Sequence, residues 1–317
     1  MKLRDVYKLA VRMGMEADPR GLENVTKELE KTAKAFKEVK EEDKEFFDMA
    51  SLTNPYDDSR LLLGDGEEEI KKIFTGVDIE TQEVMIADRL NQKGENIDLL
   101  ISHHPEGRGL AGLPGVMNLQ TGYMAAQGVR INVAEGMISS RISEVERSVG
   151  GSNLYRAVDA ARLLGFPFMC VHTPADNLAN KYLDDVLKKE QPQTIRELLK
   201  VIRNIPEYNY YAKNGNAPFI VSGDSSRSVG KIFVDFTGGT SGHKDNYARL
   251  ADAGISTVVC MHVPESQVKW AKENYLNIVI AGHMASDSLG MNQFLDEVEK
   301  QGVDIVPASG LVRIKRY

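Results

Sequence analysis

The chain has 317 residues, of which 42% are hydrophobic, and a formal net charge of −7. This length and apolar content suffice for one large or two smaller α/β domains with a sizeable core. The negative charge leaves no overall basic field for nucleic acid or an anionic membrane, and no segment reaches the roughly 18 apolar residues of a membrane span. We therefore expect a cytoplasmic protein without nucleic-acid or membrane partners.

A charged segment dominates the first 50 residues. Its apolar residues recur at three- and four-residue steps from Leu29 to Val39. This spacing predicts an amphipathic helix with one solvated face. The turn-forming stretch TNPYDDS (53–59) then ends the helix. We expect residues 1–50 to form an N-terminal helical segment.

From residue 51 onward, short β-rich runs alternate with longer helical patterns. The predicted strands are EIKKIFTGVD, NIDLLISHH, GVRINVAEG, PFMCVHT, GKIFVDFTGG, ISTVVCMH, LNIVIAGH and VDIVPAS. Interleaved helices and strands favour an α/β fold with substantially parallel sheets. The polar tract at residues 208–228 is predicted to connect a first lobe, residues 51–207, to a second, residues 229–317.

Histidines stand where the predicted strands end. Five of the six terminate apolar runs: His103, His104, His172, His262 and His283. In an open α/β sheet, ligands bind beyond the carboxyl ends of the strands, where loops from distant segments meet. Imidazoles at that edge indicate a metal, a phosphate or a proton-transfer site, since each ring nitrogen needs a partner.

Two of these histidines are followed by a carboxylate four residues later: His172 by Asp176 and His283 by Asp287. An imidazole and a carboxylate on one turn form half of a divalent-metal site. Each motif alone is more typical of a turn that caps a helix, for example through Thr173 or Asp176. Their recurrence at one offset favours a metal. With the double histidine, the donors exceed the ligands of one zinc ion, which favours two ions.

A glycine-rich turn is a candidate phosphate site. GGTSG (238–242) follows a predicted strand and precedes a helical stretch, so the amides around Gly238, Gly239 and Gly242 could bind an anion. The turn lacks the Walker lysine pattern, and a tight turn without a ligand is the alternative.

Four motifs, in this order, resemble the NIF-three-like family, whose members are also described as type 2 GTP cyclohydrolase I or dinuclear metal-centre proteins. ISHHPEG is similar to the family's His-His-Pro strand end and VHTPADN to its His-Thr-x-x-Asp segment. TGGTSG is similar to its Gly-Gly-x-Gly turn, and AGHMASD to its final Gly-His motif. The resemblance extends from about residue 50 to the C-terminus.

The resemblance implies two α/β lobes with mixed, largely parallel sheets and a dinuclear metal site in the cleft between them. It implies two divalent ions per chain, of zinc, iron, manganese, cobalt or nickel, and a ring-shaped homo-oligomer, commonly a hexamer. The implied ligands are His103, His104, Asp176, His283 and Asp287. His172 would be a further ligand or would support the others.

The chain also departs from the family pattern. Asp287 stands where the family normally has Glu, and Glu106 and Gly107 replace an apolar pair after His-His-Pro. VVCMHVP stands where the family tends to have a Thr-Gly-Asp strand end. The long separation of His104 from His172 implies an insertion, expected within GMISSRISEVERSVGGSN (136–153).

The leading functional hypothesis is a metal-dependent hydrolase in which two ions activate water, with Glu106 and His262 as candidates for proton transfer. The resemblance suggests a purine nucleotide and GTP cyclohydrolase-like chemistry, and a phosphoester would suit two metals equally well. The alternative is a non-catalytic metal-binding or regulatory protein-interaction protein. A DHH-type phosphoesterase is disfavoured, because Ser102 stands where that motif needs Asp.

Overall fold

The computed structural model describes residues 1–317, which form helices and strands in alternation. The α-helices are α1 (Leu3–Glu16), α2 (Leu22–Glu38), α3 (Thr81–Asn91), α4 (Gly107–Val116), α5 (Asn118–Ala126), α6 (Ile131–Val149), α7 (Arg156–Leu164), α8 (Thr173–Glu190), α9 (Ile195–Asn204), α10 (Pro206–Lys213), α11 (Asn246–Asp252), α12 (Glu265–Glu273) and α13 (His283–Glu299). Two 3-10 helices cover Glu41–Phe46 and Met49–Leu52. No helix combines the length and the hydropathy needed to cross a membrane.

The strands are β1 (Leu61–Leu63), β2 (Lys72–Gly76), β3 (Leu99–Ser102), β4 (Phe168–Cys170), β5 (Phe219–Ser222), β6 (Ile232–Asp235), β7 (Thr257–Cys260), β8 (Asn277–Ile280) and β9 (Asp304–Ala308). They form a first sheet of order β1-β4-β3-β2-β9 and a second sheet of order β5-β8-β7-β6. In each sheet one edge strand, β1 or β5, runs antiparallel to its neighbour, and the other pairs are parallel. The predicted mixed α/β fold is confirmed.

Three neighbouring strands of the first sheet end side by side. The register pairs Gly76 of β2 with Ser102 of β3, and Ser102 with Cys170 of β4. Because these strands are parallel, the residues that follow them leave the sheet at one edge. This register places the double histidine, which follows Ser102, beside His172, which follows β4 after one residue.

Helices α8 and α13 lie between the two sheets. One face of each helix contributes to the core of the first sheet, as Leu178 and Phe294 do. The opposite face contributes to the core of the second sheet, as Leu183 and Leu289 do. Both helices therefore bury apolar residues on two faces, one against each sheet.

The two central helices approach each other closely at Gly290. A Cβ atom at this position would lie 2.1 Å from the backbone oxygen of Ala175, a distance that no side chain can occupy. Glycine is therefore required at the crossing. The contact lies one residue from Asp176 and three residues from Asp287, so it also sets the separation of those two carboxylates.

Two predictions about local structure were wrong. GVRINVAEG, predicted as a strand, contains the start of helix α6. Its alternating apolar residues suggested a strand, but the buried positions Ala134, Ile138 and Val145 continue at helical spacing. Residues 304–308, assigned to the second lobe, form β9 and pair in parallel with β2 of the first sheet. The chain returns to the first sheet through helix α13, which precedes β9.

The predicted connecting segment, residues 208–228, is itself structured. It contains most of α10 and all of β5, the antiparallel edge strand of the second sheet. The predicted insertion, residues 136–153, belongs largely to α6. From this helix, the Arg141 guanidinium donates a hydrogen bond to the backbone oxygen of Ser241, in the glycine-rich turn.

Replacing Gly290 by alanine should destabilise the protein by about 1–3 kcal/mol, because the added methyl group must force α8 and α13 apart. The matched control is Gly136→Ala, at an exposed position in α6 where a Cβ atom meets nothing within 4 Å. That change should be neutral or stabilising, by up to about 1 kcal/mol. Urea denaturation of both variants measures the difference, and equal stabilities would contradict the close crossing.

Candidate metal centre

The double histidine leaves the end of β3 with both rings oriented by protein acceptors. The Nδ1 atom of His103 donates to the backbone oxygen of Val171 at 3.0 Å. The Nδ1 atom of His104 lies 2.6 Å from Oδ1 of Asp78, the second residue after β2. Because these acceptors hold the hydrogen on Nδ1, the Nε2 atom of each neutral ring keeps a free lone pair.

His172 is held in the same way by a carboxylate that sequence reasoning missed. Its Nδ1 atom lies 2.8 Å from Oδ2 of Asp58, which also accepts a hydrogen bond from the Thr173 hydroxyl at 2.6 Å. Asp58 is fully buried, and His172 lowers its pKa despite that burial. A carboxylate that orients a histidine in this way is typical of metal sites.

The two His-x-x-x-Asp motifs lie at the starts of the central helices. Helix α8 begins at Thr173 and α13 at His283, so Asp176 and Asp287 lie one turn after His172 and His283. The alternative in which Thr173 or Asp176 caps the helix is therefore wrong, because no side chain caps α8. The positive ends of both helix dipoles face the site and favour carboxylates there.

Three imidazoles converge on Asp287. The Nε2 atom of His103 is 3.5 Å from its Oδ1 atom. The Nε2 atoms of His104 and His283 lie 3.7 and 3.6 Å from its Oδ2 atom. The two oxygens of one carboxylate thus face different histidines.

Asp176 completes the cluster from the other central helix. Its Oδ1 atom lies 3.5 Å from Nε2 of His103, and its Oδ2 atom lies 3.7 Å from Nε2 of His172. We call these six residues the His/Asp cluster: His103, His104, His172, Asp176, His283 and Asp287. The structure thus brings together all five predicted ligands, and His172 joins them directly.

Several atoms of the cluster are buried without a hydrogen-bond partner. They are Nε2 of His103, Oδ1 of Asp176 and both carboxylate oxygens of Asp287. Burying such groups unpaired is costly, and a bound cation would satisfy them all. Three sets of residues have ligand atoms close enough to hold one ion, because the atoms of each set all lie within 4.8 Å of one another. The sets are His103–His104–His172, His104–His283–Asp287 and His103–Asp176–Asp287. The cluster could hold a metal ion.

The pKa shifts within the cluster also favour a bound cation. Burial, together with the charges of Asp287 and Asp58, raises the pKa of Asp176 well above its usual value. Burial lowers the pKa of His283 to about 4, so that ring is neutral at pH 7, as a metal ligand must be.

A cavity opens beside the His/Asp cluster, and His172, Asp176 and His283 line one part of it. Most of its remaining wall comes from residues that end or follow strands of the second sheet, including Asp235, Thr240, Ser241, Tyr247 and His262. The ring centroid of His262 lies 4.9 Å from that of His283. Glu106, the other residue predicted to transfer protons, is the N-cap residue of α4 and does not line this cavity. Burial and Glu80 raise the pKa of Glu106 to about 7.

The glycine-rich turn lies at the cavity, and packing accounts for its glycines. Gly238 and Gly239 have φ values of 101° and 85°, and a Cβ atom at Gly238 would lie 2.5 Å from the Gln120 side chain. Gln120 donates to the backbone oxygens of Gly238 and Thr240, both at 2.7 Å. A Cβ atom at Gly242 would lie 2.0 Å from Asn246.

Sequence reasoning missed three carboxylates of the site. Asp78 and Asp235 follow or end apolar strands in IFTGVD and IFVD, as the histidines do, so the rule that found the histidines could have found them. Asp58 lies in a turn, and no spacing relates it to His172, its partner 114 residues away.

The fold is similar to that of solved structures. A NIF3 superfamily protein from Sphaerobacter thermophilus matches with a TM-score of 0.70 and 24% sequence identity, over 80% of this chain and 92% of that chain. Reduced HcgD from Methanocaldococcus jannaschii matches with a TM-score of 0.53 and 16% identity, over 83% and 93%. No protein-family model and no curated protein matches the sequence. The chain therefore has the fold of the NIF3 superfamily, as its motifs predicted.

Asp235 should reduce the stability of the folded protein at neutral pH. Burial raises its pKa to about 6, against about 3.9 for an unfolded Asp, so its contribution to stability is lost as pH rises from about 4 to 6. Asp235→Asn should therefore be more stable than the wild type by about 1–2 kcal/mol at pH 7, with no difference near pH 4. Urea denaturation at both pH values measures this, with the exposed Asp43→Asn as control. A gain independent of pH would contradict the assignment.

Proposed function

We propose that the chain is a dinuclear-metal-dependent hydrolase. The observation that carries the proposal is the His/Asp cluster, whose buried, unpartnered atoms face one another beside an open cavity that Asp176 lines. A purely structural metal site is closed, whereas catalysis needs a coordination position that a substrate can reach. Three of the six cluster residues line the cavity, which supports the catalytic interpretation.

We propose two divalent ions because the donors are too many for one. Six side chains exceed the three or four ligands of a single ion such as zinc. Asp287 is suited to contact both ions, since its Oδ1 atom faces His103 and its Oδ2 atom faces His104 and His283. The remaining ligands would be Asp176 and His172. This mixed imidazole and carboxylate set accepts zinc, iron, manganese, cobalt or nickel.

Such ions, when bound, would supply Lewis-acid chemistry that activates water and polarises the bond under attack. The protein supplies the proton transfer. His262 lines the cavity, and burial lowers its pKa, so it is neutral and able to accept a proton at pH 7. Glu106 has a pKa of about 7, which suits a group that exchanges protons near neutrality, but it does not line the cavity.

A nucleotide or phosphoester is the substrate class that the glycine-rich turn supports. The amides of Gly238, Gly239 and Gly242 donate no hydrogen bond within the protein. Gly239, Thr240 and Ser241 line the cavity, so an anionic group there would lie beside the His/Asp cluster. We propose that the turn binds a phosphate while the cluster holds the ions, as GTP cyclohydrolase-like or phosphoesterase chemistry would need.

The first expected outcome concerns metal content. The untagged wild type should retain close to two transition-metal ions per chain, measured by elemental analysis after metal resupply and removal of excess. Asp287→Asn should lose most of both ions, because it removes a buried negative charge that faces three of the histidines that would hold them. Asp176→Asn and His103→Ala should each lose at least one.

The matched control is His243→Ala, which removes a histidine outside the cluster that accepts a hydrogen bond from the Asp245 amide. Its metal content should equal that of the wild type. A wild type without transition metal after resupply would sink the dinuclear proposal.

The second expected outcome concerns hydrolysis. Wild-type protein loaded with each metal in turn should hydrolyse GTP or para-nitrophenyl phosphate with at least one metal, and chelation should abolish the activity. His262→Ala should lower kcat by about 10²–10⁴-fold at unchanged metal content, because it removes a proton-transfer group. Measuring kcat for Glu106→Gln in the same way would test whether Glu106 transfers a proton.

Full metal occupancy without turnover of nucleotides or phosphoesters would instead favour the non-catalytic metal-binding alternative. An unchanged kcat in His262→Ala would remove that residue from the mechanism while leaving the metal centre intact.

A further inference from the structure

Arg141 is a half-buried arginine of α6 that the proposed function does not use. Its Nε atom donates a hydrogen bond to the backbone oxygen of Ser241 at 3.0 Å, and its Nη1 atom lies 2.8 Å from Oε2 of Glu144. Only 23% of its side chain is exposed, so the guanidinium is held against the glycine-rich turn. Arg141 lies in the segment predicted as an insertion, so the family motifs gave no role to it.

Two glutamines hold the other backbone oxygens of the glycine-rich turn. Gln120 of α5 donates to the oxygens of Gly238 and Thr240, and the Gln267 side chain of α12 donates to that of Gly242 at 3.0 Å. With Arg141 on Ser241, four of the five backbone oxygens of GGTSG accept a hydrogen bond from a side chain. These oxygens are therefore fixed from outside the turn.

The N–H groups of the same peptide units have no partner in the protein. Each of these four oxygens shares its peptide unit with the N–H of the next residue. None of the four N–H groups donates a hydrogen bond within the protein, and they belong to Gly239, Ser241, Gly242 and His243. A donor on the oxygen polarises a peptide unit and strengthens its N–H as a donor. The turn thus offers free, polarised donors, and Gly239 and Ser241 line the cavity.

We propose that Arg141 is the positioning residue of an oxyanion site at the glycine-rich turn, where the free N–H groups bind a phosphate-type group. The inference rests on the proposed function for the part that the turn has in holding the substrate. Arg141 is the only charged residue among the three side chains that hold the oxygens. Its hydrogen bond to Ser241 therefore polarises the Gly242 N–H most strongly, and its charge favours an anion at the turn.

The positive charge of Arg141 is only partly neutralised by Glu144. The Glu144 side chain is 64% exposed, so water and salt screen its interaction with the guanidinium. The cavity also contains Asp176 and Asp235, whose negative charges oppose a bound anion. A cation held against the turn is therefore needed to favour an oxyanion there.

The test is the binding of inorganic phosphate, measured by calorimetric titration before and after removal of bound metal. Arg141→Gln should weaken phosphate binding by about tenfold or more, because an amide can still donate to Ser241 but carries no charge. Arg141→Lys should keep the affinity within about threefold of the wild type, because lysine supplies both a donor and a charge. This rescue separates the effect of the charge from a loss of packing.

The matched control is Arg147→Gln, which removes the same charge from an exposed position of α6. Its phosphate affinity should stay within about twofold of the wild type, because solvent screens an exposed charge. Metal content equal to that of the wild type, and a cooperative unfolding transition, show that each variant is folded.

Three results would overturn the inference: no phosphate binding to the wild type in either form, equal affinities of the wild type and Arg141→Gln, or equal losses in Arg141→Gln and Arg141→Lys. Binding that needs metal and ignores Arg141→Gln would place the phosphate on the ions instead. These failures are distinguishable from failure of the proposed function. A chain that binds phosphate through Arg141 without hydrolysing nucleotides or phosphoesters would keep the site and lose the hydrolase. A metal-dependent hydrolase whose phosphate affinity ignores Arg141 would do the reverse.

Discussion

The structure depends on one constraint: Asp176 and Asp287, from two different helices, are buried facing the same small space. Two carboxylates so placed repel each other and lack partners, which is tolerable only because imidazoles and helix N-termini surround them. The glycine crossing between α8 and α13 fixes how close they come. The two buried carboxylates therefore lower the stability of this region and create a site that favours a bound cation. Such a local loss of stability is typical of functional sites.

Each sheet supplies a different part of the surroundings of that site. The first sheet contributes the double histidine, His172 and the carboxylates that orient them. The second sheet contributes most of the wall of the cavity, ending in Asp235 and the glycine-rich turn. Hydrogen bonds connect the two parts. The Thr237 hydroxyl donates to the side-chain oxygen of Asn177, the residue after Asp176, and the side-chain amide of Asn177 donates to the backbone oxygen of Gly14.

The cavity thus has two sides with different electrostatic environments. On one side, neutral imidazoles and carboxylates favour a cation. On the other, Asp235 offers a carboxylate that has no cation of its own and carries a raised pKa.

The sequence by itself determined the α/β class, most of the strands and the residues of the cluster, because histidines at strand ends and two His-x-x-x-Asp repeats are local patterns. It could not place β9 beside β2, show that GVRINVAEG begins a helix, or pair Asp58 with His172. Those features depend on contacts between distant segments, which no local periodicity encodes. Only the tertiary structure decided that Asp287 faces three histidines and that Asp235 lines the cavity beside them, because parallel strand ends and crossing helices meet there.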